Sequence, residues 1–391
     1  MGQDPQSIDA AEAAGKSNSR LKKGATGSLS ASAGCRVLAT TRADKPPVAP
    51  RIAGGIVFQQ AANTRIGRIR GWAAASCWCL CALGVSVHLT VRDRYDGWAV
   101  AFYALSPAVM ALLAAVAAGL LCSRPTRRLS ATSLLLCVAC GVWFYASAYY
   151  DNSVVTRFSK SATSVRVLFW NVGRGRFGWS GIEDELATID AQFVGLVEAE
   201  ASGGERPEFT GAAFDGWQVR FPGHGFALLA RGEIERTAVH ALGGGSTCVE
   251  AEVDFDGATL TAVVVDIKSN PLRSRREAFT NLIALLNDLR DRPVVLMGDF
   301  NTPPESVYFD ALRARHSNVF ETRGSGFSTT WPVPVPVLAL DQIWLNQSVQ
   351  AGRCELFWSW ASDHRPVLAQ IGILDEGRSR QRIARNTANQ R

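Results

Sequence analysis

Three stretches of the chain carry no Asp, Glu, Lys or Arg: 71–90 (GWAAASCWCLCALGVSVHLT), 98–122 and 131–150 (ATSLLLCVACGVWFYASAYY). Each is long enough to cross a bilayer as a helix, which takes about 20 apolar residues. Buried helices of a soluble domain are the rival reading. Three such runs in succession, with Trp and Tyr at their ends, favour membrane spans. The first run is not a cleavable signal, because a long segment precedes it and two further spans follow. His88 lies near the end of its run, which points to an interfacial position rather than a proton relay. Orientation follows the basic residues. Arg65, Arg68 and Arg70 precede the first span, and Arg124, Arg127 and Arg128 lie between the second and third. Both groups are expected in the cytoplasm, so three spans place everything after Tyr150 outside it, in a multi-pass protein of the inner or plasma membrane.

The net charge of +6 is unevenly spread, with a run of Lys and Arg in the first 70 residues. That segment has no sustained apolar period and reads as a disordered basic tail. Aromatic residues are nearly absent from it, which argues against a nucleic-acid-binding arm. Six cysteines (Cys77, Cys79, Cys81, Cys122, Cys137 and Cys140) sit in the spans, where they pass as small apolar residues. Cys248 and Cys354 remain in the C-terminal part; a disulfide between them and two buried free thiols are both open.

From about residue 160 the pattern changes. VRVLFWNV (165–172), FVGLVEAE (193–200), EVDF, ATLTAVVVDI, PVVLMGDF, LDQIWLN and PVLAQIGI read as strands. Asp256-Gly257 between the third and fourth is a hairpin signal. Ser180 is the expected cap of a short helix with Ile182, Leu186 and Ile189 on one face. Residues 274–290 form the clearest helix, striped by Phe279, Leu282, Ile283, Leu286 and Leu289. Strands outnumber helices and mix hairpins with helix-linked pairs, so a sheet-on-sheet core with outer helices is expected.

Polar residues end or closely follow these strands: Asn171, Glu198, Asp266, Asp299, Asn301, Asp341, Asp363 and His364. One acid at a strand end is ordinary turn chemistry. Eight in one domain, at ends that a packed sheet brings together, point to a cleft. Hydrolysis at phosphorus suits them. A hard divalent cation held by carboxylate and amide oxygens offsets the charge of a phosphate ester. A carboxylate can take the proton of the attacking water, and a histidine paired with a carboxylate can supply a proton or stabilise charge. The chain lacks a zinc-type Cys/His cluster, a Gly-x-Ser-x-Gly elbow and an NTPase phosphate loop.

Gly298-Asp299-Phe300-Asn301 and Ser362-Asp363-His364-Arg365-Pro366, with WNV around Asn171, GLVE ending in Glu198 and LDQIW beginning at Asp341, resemble the endonuclease/exonuclease/phosphatase superfamily. That group includes DNase I-like nucleases, inositol-phosphate phosphatases and sphingomyelinases, and the resemblance covers roughly residues 163–372. It implies an α/β (α+β) fold, a four-layer β-sandwich with flanking helices, here preceded by three transmembrane helices. It also implies a phosphoric ester hydrolase using Mg²⁺, with Mn²⁺ as the alternative ion. Glu198 would be the principal metal ligand, with Asn171 and Asp363 close to the ion. Asp299 would orient or deprotonate water, and Asn301 would donate its amide to phosphoryl oxygens. His364, braced by Asp341, would stabilise charge or act as acid–base. Asn171 and Asp266 are expected on the substrate side.

Two positions depart from the family pattern. Asp266 stands where many members have His or Tyr, so it adds negative charge unless a cation or Lys268 offsets it; otherwise it only caps the turn toward Asn270-Pro271. Gly173 stands where abasic-site nucleases often carry Asp. With the spans, this argues against DNA repair and for resemblance to the membrane-anchored bacterial group. The organisation expected is a tail (1–70), three spans (71–150), a linker (151–163), the hydrolase domain (164–373) and a second basic tail (374–391). Fully extended, the connection to the first strand reaches at most ~50 Å, which keeps the cleft near the membrane surface and favours a phosphate ester on a lipid or lipid-linked carrier. The alternatives are an extracytoplasmic nuclease, or a tethered binding domain that has lost catalysis. Beyond the bilayer and the phosphate ester, nothing in the sequence points to a nucleic-acid or protein partner.

Overall fold

The computed structural model describes residues 53–152, 158–159 and 162–374. The tails expected at the two ends lie largely outside these residues, but the first helix, α1 (Ala53–Leu89), already begins inside the segment read as tail. It is followed by α2 (Trp98–Ala104), α3 (Pro107–Leu120) and α4 (Arg127–Ala148). Two apolar helical segments, Thr64–Leu89 and Arg124–Ala148, are long enough to cross a membrane, and α2 with α3 make a third only if the bent pair is one span.

The second apolar run is therefore not one straight helix. It breaks at Leu105-Ser106-Pro107, and the two halves meet at 70°. Pro107 offers no N–H and disfavours a helical residue before it, so Ser106 turns to an extended ψ of 156°. The break frees carbonyls, and His88 serves them: its Nε2 lies 3.1 Å from both Phe102 O and Leu105 O. Small residues line the helix packing, with Cys81, Ala114 and Cys140 buried around Met110. Outward, Leu112, Leu134, Leu135, Val138 and Val142 are exposed. Such an apolar surface suits lipid and would be a liability in water.

The C-terminal domain contains β1 (Tyr149–Asp151), β2 (Ala162–Asn171), α5 (Trp179–Thr188), β3 (Phe193–Val197), β4 (Gln218–Gly223), β5 (Phe226–Ala230), β6 (Glu233–Gly243), β7 (Ser246–Phe255), β8 (Ala258–Asp266), α6 (Arg276–Asp288), β9 (Val294–Asp299), β10 (His316–Asn318), α7 (Val319–Arg323), β11 (Ser325–Phe327), β12 (Asp341–Asn346), β13 (Val349–Leu356) and β14 (Val367–Leu374). Two six-stranded sheets form, in the orders β10-β12-β9-β8-β7-β6 and β13-β14-β2-β3-β5-β4. Period-2 alternation explains their packing. On β2, Val165, Val167 and Phe169 face the other sheet, while Leu168 and Trp170 face the outer core. On β9, Val295 and Met297 point between the sheets, while Val294 and Leu296 point outward. Helix α6 covers one outer face through Phe279, Leu282 and Leu286, and α5 covers the other through Ile182 and Leu186. The result is the expected four-layer sandwich. Its fully buried Phe and Leu side chains each contribute roughly 1.5–3 kcal/mol by leaving water.

Local expectations met the structure with small shifts. The β7–β8 hairpin turns on Asp256 and Gly257, both at positive φ. Ser180 lies inside α5, whose cap is Gly178. Cys248 and Cys354 are free and belong to different cores, the first beneath α6 and the second between the sheets. Burial raises both thiols above their ordinary range, Cys248 to about 12.

The helices and the sandwich are joined more closely than a loose tether allows. Strand β1 continues directly from α4 and pairs with β11, Tyr149 opposite Phe327. The Phe327 ring stacks on Phe144 and meets Tyr145 and Tyr149 edge-on. The turn after α1 docks as well. Asp93 is fully buried and accepts from Ser306 Oγ (2.5 Å) and Val307 N (3.1 Å). Arg92 donates to Glu305 O at 2.9 Å. At the opposite helix ends, Arg70 Nε donates to Leu120 O at 3.0 Å. Arg70 within α1 thus lies level with the C-terminal end of α3, near Arg124, Arg127 and Arg128, while the other end of α1 docks on the sandwich.

Candidate active site

At one edge of the sandwich the inter-sheet rows change from apolar to polar. Asp299 continues the row of Val295 and Met297 on β9, and Asp341 that of Ile343 and Leu345 on β12. Asp266 follows Val264 on β8, and Asn171 follows Phe169 on β2. Strand register then places Asp266 beside Asp299 and Asp299 beside Asp341. Three carboxylates in one row across adjacent strands repel one another. They require opposite charge or protons nearby.

Asp299 is 1% exposed and held on every side. Its Oδ1 accepts from the Asn301 backbone N–H (2.8 Å), and its Oδ2 from Asn171 Nδ2 (2.9 Å) and Asn301 Nδ2 (3.0 Å). Asn301 Nδ2 also donates to Ile267 O at 2.8 Å. Both amide hydrogens of Asn301 are thereby engaged, so its first task here is to brace Asp299. Burial, and then the charge of Asp341, push the Asp299 carboxyl up to about 8. Burial, and then Glu198, raise Asp266 to about 6, with Lys268 and Arg174 opposing.

His364 Nδ1 lies 2.8 Å from Asp341 Oδ2, leaving Nε2 toward Asp299 Oδ2 at 4.0 Å. Burial alone would lower the ring, but the Asp341 charge and hydrogen bond overcome it and raise it to about 10. Asp341 itself is held at its backbone by Thr330 Oγ1, and its buried Oδ1 has no hydrogen-bond partner among the described residues.

A cavity of about 480 Å³ opens onto this edge. Asn171, Glu198, Asp299, Asn301, Asp363 and His364 line it, so six of the eight expected residues share one space. Asp341 lies behind His364, and Asp266 stands beside Asp299 without lining the cavity. Glu198 is half-buried, paired with Arg174 (Nε to Oε2, 3.3 Å), and sits at φ +51°, a conformation glutamate rarely adopts. Asn301 shares it at φ +47°. Asp363 accepts from Trp331 Nε1 at 3.3 Å. Two glycines fit the site tightly. A Cβ on Gly298 would meet Val265 O at 2.4 Å, and one on Gly173, at φ +55°, would meet Asp363 Oδ1 at 3.1 Å. An aspartate at position 173 would crowd an existing carboxylate.

One cluster here has the geometry to hold a cation, and a second set of oxygen-bearing residues lines the cavity beside it. Asp299, Asp341 and His364 bring ligand atoms within 4.8 Å of one another, all buried. An ion among them would compete with the Asp341–His364 hydrogen bond. Glu198, Asn171 and Asp363 instead present only oxygen and amide donors to the open cavity, a set suited to a hard ion that keeps some of its waters. The acid surplus along β8, β9 and β12 fits a cation at either place.

The far wall of the cavity was not legible as part of the site. Val100, Tyr103 and Ala104 of α2 line it, as do Arg275, Arg176, Leu338 and Leu340. A segment read as membrane span thus forms a side of the cleft.

The family model described as Endonuclease/Exonuclease/phosphatase family matches residues 168–364. No curated protein matches the chain in sequence. Among solved structures, an endonuclease/exonuclease/phosphatase family protein from Bacteroides thetaiotaomicron is 16% identical, covering 54% of this chain and 98% of its own, with a TM-score of 0.45. One from Bacteroides vulgatus is 17% identical with the same coverages and TM-score. A mannosyl-6-phosphatase from Bacteroides thetaiotaomicron VPI-5482 is 15% identical over 53% of this chain and 99% of its own, with a TM-score of 0.44.

Proposed function

This chain belongs to the endonuclease/exonuclease/phosphatase family, and from that premise we propose that it is a membrane-anchored, extracytoplasmic, Mg²⁺-dependent phosphoesterase acting on a phosphate ester of a lipid or lipid-linked molecule. Phosphoesterase chemistry belongs to the family and to the metal-competent cluster at the cleft. The anchor, the side of the membrane and the lipid are our reading. The observation that carries it is the cavity itself, walled on one side by Asp299 and His364 and on the other by Val100, Tyr103 and Ala104 of α2. A substrate held in a membrane would meet such a cleft without leaving the surface. Anchoring also raises the effective concentration of membrane-held substrates without a new contact. The arginines of α1 and of the segment before α4, away from the docked end of α1, support the orientation. The family's membrane-anchored bacterial members are the fitting subgroup.

In this mechanism Glu198, with Asn171 and Asp363, would hold the ion. When bound, it would neutralise phosphoryl charge and favour ionised carboxylates around it. Asp299, fixed by Asn171 and Asn301, accepts the proton of the water attacking phosphorus. Its raised proton affinity suits it to that task once the neighbouring charge is offset. His364 is kept as an imidazolium by Asp341 and presents Nε2–H to the cavity. From there it stabilises the charge gathering on phosphoryl oxygen and protonates the leaving oxygen as the P–O bond breaks. Asp266, next to Asp299 in the carboxylate row, would act on the substrate only through the charge it adds beside Asp299.

The test compares two substrates of the full-length protein in the same liposomes: bis(4-nitrophenyl) phosphate in solution and a phosphorylated lipid in the bilayer. Phosphate-ester cleavage clearly faster on the lipid supports the reading. Cleavage of the soluble ester with the lipid untouched would refute the lipid assignment.

A further inference from the structure

We propose that Arg275 is the substrate-phosphate recognition residue of this cleft and that the membrane segment holds it in place through Tyr103. The inference rests on the phosphoesterase reading of the same cavity and adds a site to it. Arg275 sits at the N-cap of α6 and lines the cavity that Asp299 and His364 line, yet it is only 4% exposed. Its guanidinium makes one long bond, Nη2 to Ser269 O at 3.5 Å. The buried Nε and Nη1 donate to nothing among the described residues. Nor does a carboxylate of the described residues form an ion pair with it.

A buried guanidinium without an anion is costly, because desolvation is not offset by pairing. Such a group at the wall of a phosphoesterase cleft is answered by the substrate's own oxygens. Arginine suits them, with a planar array of donors, a permanent charge and a weakly hydrated head. The residue also resolves a charge problem. The cavity floor is acidic where it would hold a cation, and a phosphate needs positive charge on its other side.

The position of Arg275 is set from the helical segment. Its Cζ lies 4.8 Å from the centre of the Tyr103 ring, a cation–π contact. Tyr103 Oη donates to Asp93 Oδ2 at 2.8 Å, and Asp93 is fixed in turn by Ser306 and Val307. Loop, α2 and α6 thus form one chain of contacts ending at the guanidinium. Tyr103 is a positioning residue, and Arg275 the group that touches phosphate.

The probes are inorganic phosphate, measured by calorimetry and as a competitive inhibitor of bis(4-nitrophenyl) phosphate hydrolysis, and phosphatidylcholine vesicles with and without phosphatidic acid. Full-length protein with Mg²⁺ is used throughout. Arg275→Gln should weaken phosphate binding and raise KM by about 10-fold or more, the loss of a charge-assisted hydrogen bond. Arg275→Lys, which keeps charge but not the planar donors, should lie between it and wild type. Tyr103→Leu should raise KM by a smaller factor with kcat largely kept. Mg²⁺ affinity should stay near wild type in all three, and thermal unfolding establishes that each variant is folded. Weakening toward inorganic phosphate alone assigns the site to a free phosphate, and weakening toward phosphatidic acid vesicles as well assigns it to a lipid headgroup; both support the proposal. Unchanged phosphate affinity and KM in a folded Arg275→Gln, or in Arg275→Lys should the first not fold, would overturn it. A wild-type protein that binds phosphate through Arg275 yet hydrolyses no ester would refute the phosphoesterase reading instead.

Discussion

Asp341→Asn removes one charge from the row of carboxylates and leaves its shape. The amide oxygen can still accept from His364 Nδ1, across what is now a 2.8 Å bond to a carboxylate. What disappears is the anion that raises His364 to about 10 against its burial. Without it, burial is opposed only by the charges of Asp299 and Asp363, so the ring should lose its proton at lower pH than in wild type. An acid–base or charge-stabilising group lost in this way lowers turnover by roughly 10²–10⁴-fold. Stability should respond too. A folded-state value above the unfolded one means that the fold binds the proton more tightly. The stabilisation is full below about pH 6.5 and fades as pH rises toward about 10. In Asp341→Asn that fading should shrink and begin at lower pH. The assay is the pH–rate profile of bis(4-nitrophenyl) phosphate hydrolysis from pH 5 to 10 at saturating Mg²⁺, with thermal unfolding over the same range. A basic limb moved to lower pH, with an unchanged metal requirement, fits Asp341 as the partner of His364. A metal requirement raised many-fold would place the ion among Asp299, Asp341 and His364, and a wild-type profile would refute the dyad altogether.

Other expectations follow from the same geometry. Glu198→Gln should raise the Mg²⁺ concentration needed for half-maximal rate sharply while leaving the fold intact, which titration of activity against metal will show. Gly298→Ala must push β8 and β9 apart, because its Cβ would lie 2.4 Å from Val265 O; overpacking of this kind costs about 1–3 kcal/mol, read as a lower unfolding midpoint. Cys248 and Cys354 should react with a thiol reagent only after denaturation, and reductant should leave stability unchanged. A reporter that works only outside the cytoplasm, fused after residue 375, should be active, and activity of a cytoplasm-only reporter there would reverse the orientation.

Much of the sandwich was legible because period-2 alternation and helical stripes record which face of each element is buried. Phe279, Leu282 and Leu286 read as one face and lie on one face. The strand-end polar residues were legible as a set because each interrupts an apolar row. Apart from the His364–Asp341 pair, which the family resemblance implied, their pairwise contacts were not, since spacing along the chain is silent about which atoms meet. The engagement of both Asn301 amide hydrogens, at Ile267 O and Asp299 Oδ2, is such a case. The bend at Leu105-Ser106-Pro107 was hidden for another reason. Hydropathy counts apolar residues and does not distinguish lipid contact from contact with a neighbouring domain. The proline after Ser106 was the available signal. Nothing in the sequence sets Arg275 and Asp93 apart from ordinary loop charges. Asp93 is held by Ser306, Val307 and Tyr103, and Arg275 lies against the Tyr103 ring of α2. The third span was expected to end at residue 150 and a linker to begin at 151, although Tyr149, Tyr150 and Asp151 already pair with β11.

The most direct test of the central claim is phosphate-ester hydrolysis by full-length protein inserted in liposomes, with Mg²⁺ and with EDTA, in wild type and His364→Ala. The account predicts hydrolysis that Mg²⁺ supports, that EDTA abolishes and that His364→Ala lowers by ~10²-fold or more. Folded, inserted protein that cleaves no soluble or lipid ester at any metal concentration would contradict it.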